Sequence, residues 1–377
     1  MKILIAPDSF KGSLTAREAT QSIAEGFTSA LPNAQCIEIP MADGGEGTLE
    51  ALAFNQDMTF YTVPATNPLG ATMTGTFGVL KDKTAVIETA TVSGLTLVPH
   101  NQRNPLHHTS FGSGELILAA LDKGCRRFII GLGGSATVDF GIGALQALGI
   151  RFCNRQGQDI APTAAALETL AVIDTSGLDP RLADSEFILA HDVNNSLLGP
   201  KGAILYAPQK GVPQKDLKKL SQIYAHTEKI ISETTQKHMG HLPGTGAAGG
   251  LAGGLFAFLN ATLKPGAEVV LEHIGLRAYL QSAHLVITGE GRIDDQTVWG
   301  KTPIAVAKLA KTFNIPVIAI AAQLGKGYPE VYHHGIDAVF SMTDRSQSTQ
   351  ECFASAKPLL VRAANNIARL IALRIMP

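Results

Sequence analysis

A glycine-dense turn held between two apolar runs constrains this chain more than any other stretch. Gly131-Leu132-Gly133-Gly134-Ser135-Ala136-Thr137-Val138-Asp139, closing with Gly141 and Gly143, follows Phe128-Ile129-Ile130. It precedes an apolar run with helical spacing from Ile142 to Leu148. The first run reads as the end of a buried parallel strand, so the order is strand, turn, helix. There, backbone N–H groups and a helix N-terminus converge on one point, which favours an anion, phosphate above all. A tight turn that binds nothing would use the same glycines, so the turn alone does not decide.

Similar strand ends recur. Lys2 to Ala6 reads as a strand entering Pro7-Asp8-Ser9-Phe10-Lys11-Gly12-Ser13, and Ser13 or Thr15 can cap a helix running to about Phe27. Cys36 to Ile39 enters Pro40-Met41-Ala42-Asp43-Gly44-Gly45-Glu46-Gly47-Thr48, and Glu186 to Ala190 closes on His191-Asp192. His284 to Thr288 enters Gly289-Glu290-Gly291-Arg292-Ile293-Asp294, followed by a helix at Thr302–Lys311 and strands at Pro316–Ala321 and Asp337–Ser341. Loops at the carboxyl ends of parallel strands are where open α/β sheets bind ligands.

Between these runs the texture changes. Thr59–Pro64, Ala71–Leu80 and Thr84–Glu88 are rich in Thr, Val and Phe and predict a β-meander. Phe152–Ile160 predicts a polar hairpin turning at Arg155-Gln156-Gly157, and Pro213 to about His238 an amphipathic helix. Gly244–Gly254 reads either as a third glycine-rich binding segment or as a close helix-packing surface. The expected fold is α/β: a discontinuous doubly wound, flavodoxin- or Rossmann-like parallel-sheet domain with a second α/β domain of mixed sheet inserted. Residues 1–58, 105–150 and 275–377 are assigned to the first domain and 59–104 and 151–274 to the second. The active site is expected in the cleft between them.

The 377 residues allow two domains. Charge is balanced, 31 Lys+Arg against 32 Asp+Glu, which argues against a nucleic-acid groove or an anionic membrane partner. Cys36, Cys125, Cys153 and Cys352 show no zinc or disulfide spacing. The N-terminus lacks a signal-like apolar stretch, and no run reaches membrane-spanning length, so a cytoplasmic protein is expected.

The motifs together resemble the glycerate kinase type-1 family of bacteria over nearly the whole length. The resemblance rests on Ala6–Leu14, Ala42–Thr48, Ser93-Gly94-Leu95 with Leu97-Val98-Pro99, Thr109-Ser110 with Gly112–Ile117, and Gly131–Asp139. It continues through Pro208-Gln209-Lys210-Gly211, Gly246–Gly250 and Thr288–Asp294. Phe140 departs from an expected glycine, His191 and Ser196 from an expected cysteine and proline, and Ala322-Gln323 from part of a Gly-Ser turn. The resemblance implies ATP-dependent phosphorylation of D-glycerate, with Mg²⁺, to 2-phosphoglycerate.

Such chemistry needs anion cradles, a metal held by carboxylates, cations, and a group orienting the acceptor hydroxyl. No Walker pattern is present. Gly133, Gly134, Ser135 and Thr137 are the candidate cradle for ATP phosphates, joined by Gly289, Gly291 and Lys301. Asp43, Asp192 and Asp294 are the metal candidates, each also able to act simply as a loop cap. Lys11 is a candidate catalytic cation, Asp192 the first candidate proton acceptor and Asp8 the second. Ser9, Asp43, Ser93 and Arg292 are candidate glycerate contacts, Arg292 through its planar fork, and Lys210 is a weaker candidate for contact with either substrate. Asp139 is expected inside the first helical turn, where its charge complements the dipole. A kinase yielding 3-phosphoglycerate and a non-catalytic metabolite sensor remain as alternatives. A dinucleotide oxidoreductase is disfavoured, because the first strand runs into Asp8-Ser9-Phe10-Lys11 rather than Gly-x-Gly-x-x-Gly. The partners expected are D-glycerate and ATP, in a monomer or homodimer.

Overall fold

The computed structural model describes residues 1–373. In chain order the strands are β1 (Lys2–Ile5), β2 (Gln35–Glu38), β3 (Met58–Thr66), β4 (Thr72–Leu80), β5 (Thr84–Glu88), β6 (Arg127–Gly131) and β7 (Arg151–Cys153). They continue as β8 (Val172–Asp174), β9 (Glu186–His191), β10 (Ala261–Pro265), β11 (Leu285–Ile293), β12 (Val317–Leu324) and β13 (Ala338–Ser341). The chain divides into two compact units. One comprises Met1–Asp43, Glu50–Gln56 and the chain from Ala267; the other comprises Gly44–Leu49 and Asp57–Gly266.

The first unit is built on a five-stranded parallel sheet in the order β13-β12-β11-β1-β2. Counted within the unit this is 2-1-3-4-5, the flavodoxin-like doubly wound order, with the topological switch between β1 and β11. Ile3, Ile5, Ile287 and Ile320 are fully buried on the sheet. The helices Ala16–Ala30 and Ala356–Ala372 cover them with Phe27 and Leu360. Of the two candidate caps, Thr15 starts the first helix, in a reciprocal capping box with Glu18. Gly26 lets the two helices meet backbone to backbone: a Cβ there would lie 2.4 Å from the Val361 carbonyl oxygen and 2.6 Å from Ala364 Cβ.

The second unit holds a six-stranded sheet, β10-β9-β6-β5-β4-β3. β3, β4 and β5 form the antiparallel meander, and β5, β6, β9 and β10 run parallel. Its core includes Phe77, Phe128, Ile130, Phe140, Leu145 and Phe187, with Phe128 and Phe187 stacked at 4.5 Å.

Several expectations are corrected. Residues 105–150 belong to the second unit, because β6 pairs with β5 and β9 rather than with the β1 sheet. An apolar run such as Phe128-Ile129-Ile130 reads identically in either sheet, so pairing partners are invisible in it. The turn at residues 154–158 forms, with Asn154 N–H donating to the Gln158 carbonyl. The expected hairpin is present around it, Cys153 bridging Asp159 and Ile160 N–H donating to the Phe152 carbonyl, and β7 pairs in addition with β8. The Gly244–Gly254 segment is a packing surface. A Cβ at Gly249 would fall 2.1 Å from the Thr137 carbonyl oxygen, and one at Gly254 2.2 Å from that of Phe140.

Candidate active site

In the first unit, the loops leaving β1 and β2 and the C-terminal half of β11 enclose a cavity of about 590 Å³. It lies at the switch point. Asp8, Ser9, Lys11, Asp43, Glu290, Gly291, Arg292 and Lys301 line one part of it, and residues between Ser341 and Phe353 another. Asp8 N–H donates to the Gly289 carbonyl at 2.9 Å, which ties the first loop to β11. The Asp8 carboxylate accepts from the Thr302 hydroxyl at 2.6 Å and from Ser9 N–H at 2.6 Å.

Burial, reinforced by the negative charge of Asp43, raises the Asp8 carboxyl to about 7, against the pull of Lys11 and the Thr302 bond. Lys11 reaches Asp43 at 3.5 Å while staying 59% exposed. Glu290 accepts from Thr297 at 2.7 Å and Lys301 at 3.2 Å, and burial pushes its carboxyl up. Glu290 was not singled out from sequence. Its signal is a carboxylate set between Gly289 and Gly291 at a strand end, inside the quoted motif.

Other candidates in this unit fall differently. Gly289 serves the sheet, since a Cβ there would meet the Ile320 carbonyl oxygen at 2.1 Å. Gly291 lies on the cavity wall against Phe10 and Lys11. Asp294 accepts from Gln296 N–H at 3.0 Å and pairs with Arg292 Nε at 2.8 Å. It therefore caps its own loop and braces Arg292, the plainer of the two roles open to it.

In the second unit the glycine turn is crossed by other chain segments. A Cβ at Gly133 would lie 2.6 Å from Gly45 Cα and 3.2 Å from Asp192 Oδ2, so only glycine fits beside that carboxylate. Leu132 N–H donates to the Ala190 carbonyl, Gly133 N–H to that of Gly44 and Ala136 N–H to that of Ser93, so these amides of the turn are engaged internally. The Thr137 hydroxyl is buried without a hydrogen-bond partner among the described residues. Lys210 Nζ donates to Ser135 Oγ at 2.6 Å and to the Thr137 carbonyl at 2.8 Å. Loss of hydration lowers this ammonium to about 8, opposed by the charges of Asp139 and Asp192. Lys210, a weaker candidate for contact with either substrate, is thus seated on the turn.

Ser93 is fully buried, its hydroxyl 2.9 Å from that of Ser113, and its backbone braces the turn. That is a structural position rather than a ligand-facing one. Asp139 is also structural. It is fully buried and accepts from Ser110 N–H at 2.8 Å, Ser110 Oγ at 2.7 Å, Gly141 N–H at 3.2 Å and Gly143 N–H at 3.3 Å. Phe140 holds φ +60°, a conformation that suits glycine. Its buried ring packs edge-on to Tyr224, whose hydroxyl donates towards the Val138 and Gly249 carbonyls. His191 is buried, which lowers its imidazole, and its ring fits against Gly244. Ser196 turns its hydroxyl to the Leu198 carbonyl.

Among the described residues no three His, Cys, Asp or Glu side chains converge as a metal cage. Asp43 and Asp294 lie in the first unit and Asp192 in the second. Among the same residues no helix is long and apolar enough to cross a membrane. All four cysteines are free thiols.

The profile of the glycerate kinase family matches residues 3–372. A glycerate kinase of Halalkalibacterium halodurans is 47% identical over 97% of each chain. A glycerate 2-kinase of Escherichia coli K12 is 45% identical over 99% of this chain and 98% of its own. A crystal structure described as that of a candidate glycerate kinase 2 from Salmonella typhimurium LT2 superposes with a TM-score of 0.84 at 44% identity, covering 99% of this chain and 98% of that one.

Proposed function

The chain belongs to the glycerate kinase family, and on that premise we propose that it transfers the terminal phosphoryl group of ATP to the 2-hydroxyl of D-glycerate in the cytoplasm, releasing 2-phosphoglycerate and ADP. The observation that carries this reading is the meeting of Asp8, Asp43 and Lys11 in one cavity at the switch point of a doubly wound sheet.

Phosphoryl transfer is mostly positioning and charge stabilisation. Asp8, with its carboxyl near 7, suits a proton acceptor for the glycerate hydroxyl better than an ordinary carboxylate does, because its affinity lies close to the working pH. It thereby takes precedence over Asp192. Ser9 and Arg292, on the same wall, are the proposed contacts for the glycerate carboxylate; Asp294 holds Arg292 in place. In the second unit Ser135, Thr137 and Lys210 form an anion cradle for phosphate. Because Ser135 Oγ already accepts from Lys210, its own proton is left to donate to a phosphate oxygen.

Asp43 in the first unit is a carboxylate that would fit Mg²⁺, which takes one or two carboxylates together with phosphate oxygens and water. Bound there, Mg²⁺ would neutralise charge on the polyphosphate. The negative charge gathered around Asp8 and Asp43 suits such a cation.

The test is an ADP-release assay with D-glycerate, ATP and Mg²⁺, the product being resolved by phosphorus NMR. ADP with 2-phosphoglycerate is expected. A 3-phosphoglycerate product would overturn the regiochemistry, and glycerate binding without turnover would favour the sensor.

A further inference from the structure

Glu290 is the one carboxylate around Asp8 that the proposed reaction leaves without a task. Its side chain is only 12% exposed, and both of its oxygens are used. Oε1 accepts from the Thr297 hydroxyl at 2.7 Å and Oε2 from Lys301 Nζ at 3.2 Å. The buried Thr297 hydroxyl in turn accepts from Asp294 N–H at 3.1 Å. One carboxylate on β11 therefore grips the loop that follows it at two points. An ion pair this dehydrated gains little net stability, so what it supplies is a fixed direction for the ammonium.

That ammonium lines the cavity, with the Lys301 side chain 27% exposed. It carries three donors, and among the described residues its hydrogen bond is the one to Glu290, so two donors are left for a ligand. The next residue, Thr302, donates to Asp8 Oδ2 at 2.6 Å. Two successive residues thus hold the cation and the proposed proton acceptor. Besides burial and Asp43, the charge of Glu290 also raises the Asp8 carboxyl, so the two carboxylates are electrostatic neighbours.

We propose that Glu290 is a positioning residue that aims the Lys301 ammonium at the phosphate carried on the glycerate 2-oxygen. The inference rests on the reading of this cavity as the glycerate site. In that reading Asp8 faces the 2-hydroxyl, whose oxygen becomes the one bonded to phosphorus in 2-phosphoglycerate. The new phosphate therefore lies one bond from the atom that Asp8 faces, inside the same cavity. An ammonium already held in place meets it with little further loss of side-chain freedom.

Calorimetric titration of D-glycerate and of 2-phosphoglycerate into wild type, Lys301→Met, Glu290→Gln and Arg345→Met tests this, beside thermal melts. Lys301→Met is expected to weaken 2-phosphoglycerate roughly ten- to hundredfold, the scale of a hydrogen bond to a charged group. D-glycerate should stay within about twofold. Glu290→Gln keeps the volume and an acceptor for Thr297 but releases Lys301. Losing a negative charge would by itself tighten phosphate binding, so the expected weakening of about fivefold reports misplacement of the ammonium. Unchanged or tighter 2-phosphoglycerate binding in Glu290→Gln would overturn the positioning role. Arg345, exposed on the other part of the wall, is the control. A phosphate-specific loss there in place of Lys301, or an equal loss of D-glycerate in Lys301→Met, would overturn the assignment. Wild type that binds neither ligand would sink the glycerate-site reading itself, whereas binding of both without difference among the variants defeats this inference alone.

Discussion

Lys210 Nζ lies 2.6 Å from Ser135 Oγ, across 75 residues of sequence, and places a partly dehydrated ammonium on the central glycine turn. The turn is therefore more than a backbone cradle. The Thr137 carbonyl and the Ser135 hydroxyl hold a cation, which with the Ser135 and Thr137 hydroxyls would make up the proposed anion site.

Removing that cation should cost activity without unfolding the protein. Lys210→Met is expected to lower kcat/KM by about 100-fold, the scale of losing one preorganised charge that stabilises a phosphoryl group. Lys210→Arg should recover part of it. Because the ammonium titrates near 8, wild-type activity should also decline as pH rises through about 8. Steady-state kinetics from pH 6 to 9.5 would check both points. A full-rate Lys210→Met would remove the cradle from the mechanism.

Asp8 should trade stability for function. Its carboxyl is raised to about 7 in the folded protein from an ordinary 3.8. The folded state therefore binds the proton more tightly than the unfolded one. Between about pH 4 and pH 7 this contribution to stability falls as pH rises, and above 7 the ionised group is a full burden. Asp8→Asn, which keeps an acceptor for Thr302, is expected to stabilise the fold at pH 8 by on the order of 2 kcal/mol, seen as a higher Tm. It should also lower kcat at least 100-fold. In wild type kcat/KM should drop as pH falls below about 7. Calorimetry at pH 5 and pH 8 beside a rate profile measures all three.

Ser93 separates a structural hydroxyl from a substrate contact. With its partner Ser113 left unpaired in a buried site, Ser93→Ala should cost about 1 kcal/mol of stability, and KM for D-glycerate should stay within twofold of wild type. A tenfold rise in KM with unchanged Tm would return Ser93 to the substrate site.

Phe140 occupies a glycine-like conformation but fills the core. Phe140→Gly would relieve about 1 kcal/mol of backbone strain and forfeit about 3–5 kcal/mol of buried ring. The expected result is a net loss near 3 kcal/mol, visible as a lower unfolding midpoint in urea. A more stable variant would mean that the ring is strained rather than packed.

Much of the site was legible because strand, loop and residue chemistry are local. Asp8, Lys11 and Asp43 follow short apolar strands, and that pattern alone places them at the sheet's carboxyl edge. Glu290 was legible in principle from its glycine flanks. Lys210 was legible only as a weaker candidate, since a lysine after Pro208-Gln209 looks like any solvated surface charge until the fold brings it to Ser135. For Asp294 and Ser93 the converse holds: both sit in motifs, but the motif does not reveal that Arg292, Gln296 or Ser113 engages them.

The sequence by itself determined the α/β class, the meander, the positions of the strand-end loops and the family, because periodicity, turn residues and ordered motifs are properties of neighbouring residues. Tertiary structure decided which sheet β6 joins and which carboxylate is driven to pH 7. It also decided which lysine meets the glycine turn. Those outcomes depend on dehydration and on contacts between residues tens to hundreds of positions apart, which no local pattern encodes.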